Sequence, residues 1–349
     1  MRILHVCRQY LPCLGGAERF VADLAARLAE PRAIGWPGHE QHEVRVATLD
    51  ACFTAPGQKL PARESQAGVE VFRLPYWGGP LAFAAPGVLP LARWADVLHI
   101  HNTDFFLDYL ALTQPLHRRP FVVSTHGGYF HTPAFRRVKM LAFHTITRFA
   151  LGRAAVVIAD SAADEARFRP IASRHQMARL RRVENGVDTR PFARLEKQIE
   201  PGVLLYHGRL AAKKRCDLLL AALAELRVLR ADARLVFSGQ GRPGELETLQ
   251  RQAAALGVAD LVSFEGEGSA ARMLQNYARA HLFLSASAGE AFGISLAEAL
   301  ASGTVPVVSP IPAHRELVTP GETGFLADFN DPPGAAAAIA AALALPPAR

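Results

Sequence analysis

Short apolar runs alternate with longer stretches of helical periodicity almost throughout this chain, and few folds accommodate that pattern. In the first half the strand-like runs are Ile3–Val6, Glu43–Leu49, Val69–Leu74, Val97–His101, Phe121–Ser124 and Val156–Ala159. Helical periodicity appears between them, for example at Glu18–Leu28 and Lys139–Leu151. This alternation predicts an α/β protein with a parallel sheet covered by helices.

The same alternation starts again at Val203–His207 and continues to Val305–Val308. With 349 residues the chain is longer than the ~250 that one hydrophobic core commonly serves. Between the two series lies a polar stretch that is rich in turn residues. We therefore predict two doubly wound, Rossmann-like domains, residues 1–200 and residues 201–349. Ligands of such sheets bind at the carboxyl ends of the strands, so we expect an interdomain cleft to hold the site.

Positive charge is concentrated in the first half. Residues 1–200 hold 26 Lys and Arg against 18 Asp and Glu, and residues 201–349 hold 13 against 14. An anionic partner is therefore expected to meet the first half. The basic residues that cluster among apolar ones are Arg136, Arg137, Lys139, Arg148 and Arg153. This mixture fits a helix on an anionic membrane surface, and it also fits an ordinary solvated helix face. It lacks the basic and aromatic run typical of nucleic-acid binding.

The chain shows no apolar run of the ~20 residues needed to span a bilayer. Its first residues fit a buried strand rather than a signal peptide, so we expect a cytoplasmic protein. The four cysteines form no C-x-x-C pair, which argues against a disulfide scaffold and a structural zinc site. His99 and His101 share one face of a strand, but no third ligand at a suitable spacing accompanies them, so no metal site is predicted.

Two adjacent glycines, Gly15 and Gly16, stand between the first strand and the first helix. Glycine lets a backbone approach a ligand closely, and a helix N-terminus favours an anion, so this turn is a candidate phosphate contact. A plain tight turn would explain the two glycines as well.

The strongest local pattern is Glu290-Ala-Phe-Gly-Ile-Ser-Leu-Ala-Glu298, which places two carboxylates on either side of a loop-to-helix junction. Backbone N–H groups at a helix start are open to an anion, which makes this junction a candidate diphosphate cradle. The cradle would consist of Phe292, Gly293, Ile294 and Ser295. Plain helix capping by the glutamates is the alternative.

Two further candidates follow predicted strands, at the edge where ligands bind. Arg209 and Lys214 come after the first strand of the second half, and two cations there could hold a diphosphate without a metal ion. A solvated basic loop is the alternative. His126 stands between a strand and two glycines, which suits a substrate contact and equally a buried structural histidine.

One motif points to another class of enzyme. Gly239-Gln-Gly241-Arg-Pro-Gly244 follows a strand and opens a helix, as in the dinucleotide-binding fingerprint. An NAD-dependent oxidoreductase is therefore the rival function. The motif lies on the second strand of its domain, however, and the rival leaves the two glutamates and the two cations without a role.

Together these motifs resemble those of the retaining glycosyltransferases of family 4, which have the two-domain GT-B fold. The matching segments are Gly15-Gly16-Ala-Glu, Thr125-His126-Gly127, Asn185-Gly-Val-Asp188, Gly208-Arg209 with Lys214, Glu290-x7-Glu298 and Ala301-Ser-Gly-Thr-Val-Pro. They occur in the family's order and span nearly the whole chain.

Within the family, the first half is similar to the α-mannosyltransferases of xanthan- and acetan-type exopolysaccharide assembly, above all at 104–117 and 124–132. That similarity implies transfer of mannose from GDP-mannose to a polyprenyl-diphosphate-linked oligosaccharide. It also implies a peripheral enzyme on the inner face of the cell membrane, docked through Arg136, Arg137 and Lys139. UDP-glucose or UDP-N-acetylglucosamine stays open as the donor.

The resemblance further implies residue roles, with no cofactor and no metal. Gly15 and Gly16 would approach the donor diphosphate, and Arg209 and Lys214 would neutralise the charge of the leaving nucleotide. Glu298 would bind the ribose, Glu290 would hold sugar hydroxyls, and His126 would contact the sugar near the reacting carbon. The implied catalytic set is His126, Arg209, Lys214 and Glu290, with no protein nucleophile.

Overall fold

The computed structural model describes residues 1–13, 15–30, 40–53, 57, 60–79, 83–127, 136–171, 179–266 and 268–345. At 136, 138 and 139 it describes the helix but not the side chains. The chain divides into two units, Met1–Asn185 and Gly186–Arg349. None of the helices in these ranges combines the length and the apolar character needed to cross a membrane.

The first unit is built on an eight-stranded sheet of order β10-β9-β8-β7-β1-β2-β4-β3. Its strands are β1 Arg2–Val6, β2 Glu43–Leu49, β3 Arg63–Gln66, β4 Val69–Leu74, β7 Val97–His101, β8 Phe121–Ser124, β9 Val156–Ala159 and β10 Leu180–Arg182. A separate hairpin pairs β5 Trp77–Gly78 with β6 Phe83–Ala84. Neighbouring strands of the sheet are parallel except β3 and β4. The carboxyl ends of seven strands therefore lie along one edge.

Helices cover both faces of this sheet. They are Gly16–Ala29, Val88–Trp94, Phe105–Leu112, Gln114–His117, Arg136–Ala142, Arg148–Arg153 and Ala162–Phe168, and a π-helical turn, Phe143–Thr147, joins the fifth to the sixth. Alternate residues of β1 enter different cores, since Leu4 and Val6 belong to one apolar cluster and Ile3 to another. A strand buried on both faces explains why the sequence shows continuous apolar runs.

The second unit repeats the design with a six-stranded, all-parallel sheet of order β13-β12-β11-β14-β15-β16. Its strands are β11 Val203–His207, β12 Arg234–Ser238, β13 Val262–Gly266, β14 Leu282–Ser285, β15 Val305–Val308 and β16 Phe325–Leu326. Its helices are Arg190–Ala193, Cys216–Leu229, Glu245–Ala255, Ala270–Arg279, Ile294–Ala301, Pro312–Leu317 and Pro332–Leu343. The predicted α/β class with two Rossmann-like sheets is confirmed.

The division between the units falls earlier than residue 200, the position predicted from the sequence. The polar stretch after Asn185 packs into the second unit. Phe192 belongs to an apolar core of that unit, and the Lys197 ammonium donates to the carbonyl of Tyr277 at 2.8 Å and to the hydroxyl of Thr304 at 2.7 Å. These contacts, rather than the turn residues, decide where the segment belongs.

Candidate functional site

In the second unit, two of the predicted catalytic residues form an ion pair. Lys214 ends a short 3-10 turn after β11, and Glu290 lies in the loop after the adjacent strand β14. The Lys214 Nζ donates to Glu290 Oε1 at 2.5 Å, and the Ser287 hydroxyl donates to the same oxygen at 2.7 Å. Burial acts to raise the pKa of Glu290, but the Lys214 ammonium and the two hydrogen bonds outweigh it and lower the pKa to about 2. The carboxylate is therefore ionised at neutral pH.

The Ile294–Ala301 helix begins shortly after Glu290, and its N-cap is Gly293. Gly293 has a φ of +100°, a backbone conformation that glycine adopts without strain. Among the described residues, no side chain caps the first N–H groups of this helix. These amides and the positive end of the helix dipole favour an anion, so the predicted cradle of Phe292, Gly293, Ile294 and Ser295 has the required backbone. Donor binding there stays a prediction.

Glu298 lies inside the same helix and is 3% exposed. The Tyr277 hydroxyl donates to its Oε2 at 3.2 Å, and Nε2 of His207 lies 3.9 Å from that oxygen. Sequence reasoning missed both neighbours. His207 directly precedes the Gly208-Arg209 motif and could have been found from it. Tyr277 comes from the Ala270–Arg279 helix, and nothing in its local sequence points to this contact.

Arg209 follows β11 and is exposed. Its side chain forms no salt bridge with any residue in the described ranges, which leaves the guanidinium available for an anionic ligand. The turn before it depends on Gly208, which has a φ of +143°. The turn is further fixed by the Tyr206 hydroxyl, which donates to the Arg209 carbonyl at 2.6 Å.

The glycines of the rival dinucleotide motif have structural roles here. A Cβ at Gly239 would lie 2.0 Å from the carbonyl oxygen of Gly208, so the ends of β11 and β12 can approach only because Gly239 has no side chain. Gly244 has a φ of +86° and is the N-cap of the Glu245–Ala255 helix. Packing and capping thus account for these two glycines without a bound dinucleotide.

In the first unit, the predicted glycine turn leads directly into the Gly16–Ala29 helix. Gly15 is its N-cap in extended conformation, and no side chain in the described part of the chain caps the first turn. A small pocket beside this turn is lined in part by Arg8, Glu18 and His101. The glycine turn and the end of β7 therefore lie close together within this unit.

His126 lies in the turn after β8, in a left-handed conformation with a φ of +44°. Both nitrogens of its buried ring are occupied. Nδ1 is 2.5 Å from Asp160 Oδ2, and Nε2 is 3.0 Å from His101 Nδ1. Asn185, from the Asn-Gly-Val-Asp motif, donates to the same Asp160 oxygen at 3.1 Å. Sequence reasoning missed Asp160, and a sugar contact through a free His126 ring nitrogen would require one of these bonds to be exchanged.

The expectation that no third ligand accompanies His99 and His101 is wrong, because a third histidine lies beside them. His5 on β1 is the register partner of His99, and candidate ligand nitrogens of the three rings lie within 4.8 Å of one another. His5 Nδ1 is 3.0 Å from His101 Nε2, and His99 Nε2 is 2.9 Å from the hydroxyl of Ser124. A cation at this cluster would have to replace hydrogen bonds, since His101 uses both ring nitrogens. That the protein works without metal stays a prediction.

The basic stretch is helical from Arg136 to Arg153, with a π-helical turn in the middle. Arg137 is exposed, and so are the apolar side chains of Leu141, Ile146 and Phe149. The side chains of Arg136 and Lys139, also predicted to bind the membrane, lie outside the described residues. The predicted mixture of basic and apolar surface is present at the described positions, and its contact with a membrane stays a prediction.

Comparison with known proteins agrees with this architecture. The model of Glycosyltransferase Family 4 matches residues 14–191, and that of Glycosyl transferases group 1 matches residues 188–349. The GDP-mannose:cellobiosyl-diphosphopolyprenol alpha-mannosyltransferase of Komagataeibacter xylinus is 35% identical over 99% of this chain and 85% of its own length. The protein of the same name from Xanthomonas campestris is 35% identical over 99% of this chain and 88% of its own.

A crystal structure of Anabaena HepE in complex with UDP and glucose superposes with a TM-score of 0.74. It covers 99% of this chain and 90% of its own, at 21% sequence identity, and so shows likeness of fold. The matches over almost the entire chain, together with the motifs and the two Rossmann-like sheets, decide against the oxidoreductase. The chain belongs to the family 4 glycosyltransferases and is a glycosyltransferase of the GT-B fold.

Proposed function

We propose that this enzyme transfers mannose from GDP-mannose to a polyprenyl-diphosphate-linked oligosaccharide, in exopolysaccharide synthesis. The observation that carries the proposal is the similarity to the two mannosyltransferases named above, which extends over 99% of this chain. Similarity of that extent includes both the donor motifs of the second unit and the segments of the first unit that would meet an acceptor. The donor motifs alone do not distinguish GDP-mannose from UDP-glucose or UDP-N-acetylglucosamine.

On the donor side, the second unit supplies three sources of positive potential for a diphosphate. They are the Lys214 ammonium, the exposed Arg209 guanidinium and the open N-terminus of the Ile294–Ala301 helix. Together they would neutralise the charge that develops on the leaving nucleotide, which is the task of a metal ion in other transferases. We therefore propose that transfer is independent of metal.

Glu290 and Glu298 would hold the two sugars of the donor. Both hydrogen bonds to Glu290 from described side chains end on Oε1, which leaves Oε2 to accept a hydroxyl of the mannose. Because the pKa of Glu290 is about 2, the carboxylate accepts such bonds at any physiological pH. Glu298, held by Tyr277, would accept hydrogen bonds from the ribose.

We propose that transfer retains the anomeric configuration. The acceptor hydroxyl would attack the anomeric carbon on the face from which the diphosphate leaves. The bond from that carbon to the diphosphate oxygen breaks as the new glycosidic bond forms, and the hydroxyl proton passes to the departing diphosphate. The products are the mannosylated acceptor and GDP. From the first unit, the Gly15–Gly16 turn would approach the diphosphate, and the turn at His126 would contact the sugar.

A thermal-shift panel tests the donor. GDP-mannose and GDP at about 100 times their dissociation constants should add about 2.7 kcal/mol to the free energy of unfolding. UDP-glucose, UDP-N-acetylglucosamine and NAD should add nothing. Transfer is then measured with a cellobiosyl-diphosphopolyprenol acceptor, with and without EDTA. A response to a uridine nucleotide alone would agree with a glycosyltransferase but contradict mannose as the transferred sugar. Loss of activity in EDTA would contradict the proposal that transfer is independent of metal.

We also propose that the 136–153 stretch docks the enzyme on an anionic membrane surface, where a lipid-linked acceptor would lie. Exposed Leu141, Ile146 and Phe149 would enter the membrane interface, and the basic residues would contact the anionic headgroups. Each basic residue near the surface would contribute about 1 kcal/mol to the binding free energy. Changing Arg136, Arg137 and Lys139 to Glu should abolish sedimentation with anionic liposomes. The matched control changes three exposed arginines of the second unit, Arg242, Arg251 and Arg315, to Glu. Equal binding of the two variants to anionic liposomes would contradict the proposed docking role of the 136–153 stretch.

A further inference from the structure

A chain of buried side chains runs along the carboxyl edge of the first sheet, with one member in, or just after, each of four adjacent strands. His5 is in β1, His101 ends β7, His126 follows β8 and Asp160 follows β9. Each side chain contacts the next. His5 Nδ1 lies 3.0 Å from His101 Nε2, His101 Nδ1 lies 3.0 Å from His126 Nε2, and His126 Nδ1 lies 2.5 Å from Asp160 Oδ2. In each case the nitrogen that faces Asp160 is Nδ1, so the three rings point the same way.

The far end of the chain determines where the protons are. Nε2 of His5 is buried and has no hydrogen-bond partner among the described residues. A buried N–H without a partner is rarer in proteins than an acceptor without one. His5 therefore carries its proton on Nδ1 and donates it to His101 Nε2. His101 must then donate from Nδ1 to His126 Nε2, and His126 donates from Nδ1 to Asp160.

The surroundings of the chain agree with neutral rings at His5 and His101. Burial lowers the pKa of His5 to about 4, and burial, with the neighbouring histidines, lowers the pKa of His101 well below its ordinary value. The Phe20 ring packs edge-on against His101 and His126, with centroid distances of 6.4 Å and 5.6 Å, which keeps water from the bonds. The third ring of the chain belongs to His126, whose backbone has a left-handed conformation with a φ of +44°.

We propose that His5 and His101 are positioning residues that act through His126, because their aligned Nδ1–H donors fix its ring against Asp160 and so hold the turn after β8 in its left-handed form. A left-handed conformation is costly for a residue with a side chain and persists where surrounding bonds enforce it. The functional consequence rests on the proposed function, in which this turn contacts the mannose of the donor. The positioning of the His126 ring by His5 and His101 does not depend on the proposed function.

The first test reads the protons directly and needs no substrate. Two-bond 15N–1H NMR correlations of the 15N-histidine-labelled protein distinguish protonated from unprotonated ring nitrogens. We expect His5, His101 and His126 each to show a protonated Nδ1 and an unprotonated Nε2, assigned through single-histidine variants. A protonated Nε2 on neutral His126 would overturn the proposal.

Two variants of His101 separate its two bonds. In His101→Asn the amide nitrogen can take the place of Nδ1 and keep the bond to His126, whereas in His101→Gln the amide lies where Nε2 was and loses it. In His101→Gln we expect His126 to populate both neutral tautomers. In His101→Asn we expect it to keep the single tautomer with a protonated Nδ1. If His101→Gln does not fold, two variants of His5 make the same comparison. His5→Asn keeps a donor to His101 in the place of Nδ1, and His5→Leu removes it. Identical His126 spectra within both pairs would overturn the proposal.

The kinetic test asks whether the turn serves the reaction. With GDP-mannose, kcat/KM of His101→Gln should fall about tenfold or more, and that of His101→Asn should stay near wild type. Affinity for GDP alone, which the second unit would bind, should stay within about twofold. A structural role alone would lower stability and leave kcat/KM of the folded protein unchanged, which would overturn the proposal. Failure of the wild-type enzyme to use GDP-mannose would instead count against the proposed function, and the NMR test would still decide on the chain.

Discussion

The ion pair between Lys214 and Glu290 should affect both the stability of the second unit and, under the proposed function, the reaction. The Glu290 side chain is 14% exposed and that of Lys214 is 23% exposed, so each partner left alone would be a poorly solvated charge. We expect Lys214→Met and Glu290→Gln each to lower the free energy of unfolding by roughly 2 kcal/mol, as measured by urea denaturation. Each should also lower kcat by about a hundredfold or more, because each removes a group from the proposed donor site.

The double variant, Lys214→Met with Glu290→Gln, separates the two effects. It should recover part of the stability, with a coupling energy of about 1 kcal/mol or more, because neither charge is left alone. It should recover no activity, since the proposed donor diphosphate would still lack the Lys214 cation. Strictly additive losses of stability would show that the pair is not coupled in solution.

Single residues of the candidate site were predictable where they stand in a local motif. Lys214, Glu290 and Glu298 follow from the sequence because strand ends and a helix start are recognisable over a few residues. Asp160, Tyr277 and His5 were not found, because each meets its partner through the sheet or an adjacent helix. His5 and His101 are 96 residues apart in the chain but in contact in space. Such a contact can be predicted only when the spatial order of the strands in the sheet is known. No single segment of the sequence determines that order.

At the level of the elements, Gly239 explains how two strand ends of the second unit can meet. Gly239→Ala should lower the free energy of unfolding by about 2 kcal/mol or more, since a Cβ would lie 2.0 Å from the Gly208 carbonyl oxygen. Gly257→Ala is the matched control, because Gly257 also has a positive φ, but no described residue other than its chain neighbours has an atom within 4 Å of its Cβ position. It should cost about 1 kcal/mol, the backbone strain alone. Urea denaturation of both variants measures the difference, and equal losses would show that the close approach is relaxed in solution.

The predicted strands of both units correspond closely to the observed ones, because a strand buried on both faces is a continuous apolar run. β7, for example, has the predicted bounds, Val97–His101. The β3 strand, Arg63–Gln66, was not predicted, since this polar edge strand has no apolar pattern. The Val88–Trp94 helix, only seven residues long, was missed for a similar reason. Both elements depend on the sheet they pack against rather than on their own sequence.

For the molecule as a whole, the dependence of stability on pH should reflect opposing groups within the first unit. Burial lowers the pKa of His5 to about 4, so below pH 6.5 the unfolded state binds more protons and stability falls toward pH 4. Burial raises the pKa of Asp104 to about 6, against the opposing charge of Arg8. Burial and the Asp104 charge raise the pKa of Asp108 to about 7. For these carboxyls the folded state binds more protons, so stability falls as pH rises from about 4 to 7.

Because the two trends oppose each other, the wild-type profile between pH 4 and 7 should be flatter than either alone, and single variants should reveal them. Relative to wild type, His5→Leu should gain stability as pH falls from 6.5 to 4, by up to roughly 3 kcal/mol. Asp108→Asn should show the reverse, with its gain largest above pH 7 and vanishing near pH 4. Urea denaturation of the three proteins at half-unit intervals of pH measures both differences. Parallel profiles for wild type and Asp108→Asn would mean that Asp108 is ionised in the folded protein throughout this range, with a solvated carboxylate in place of the buried one.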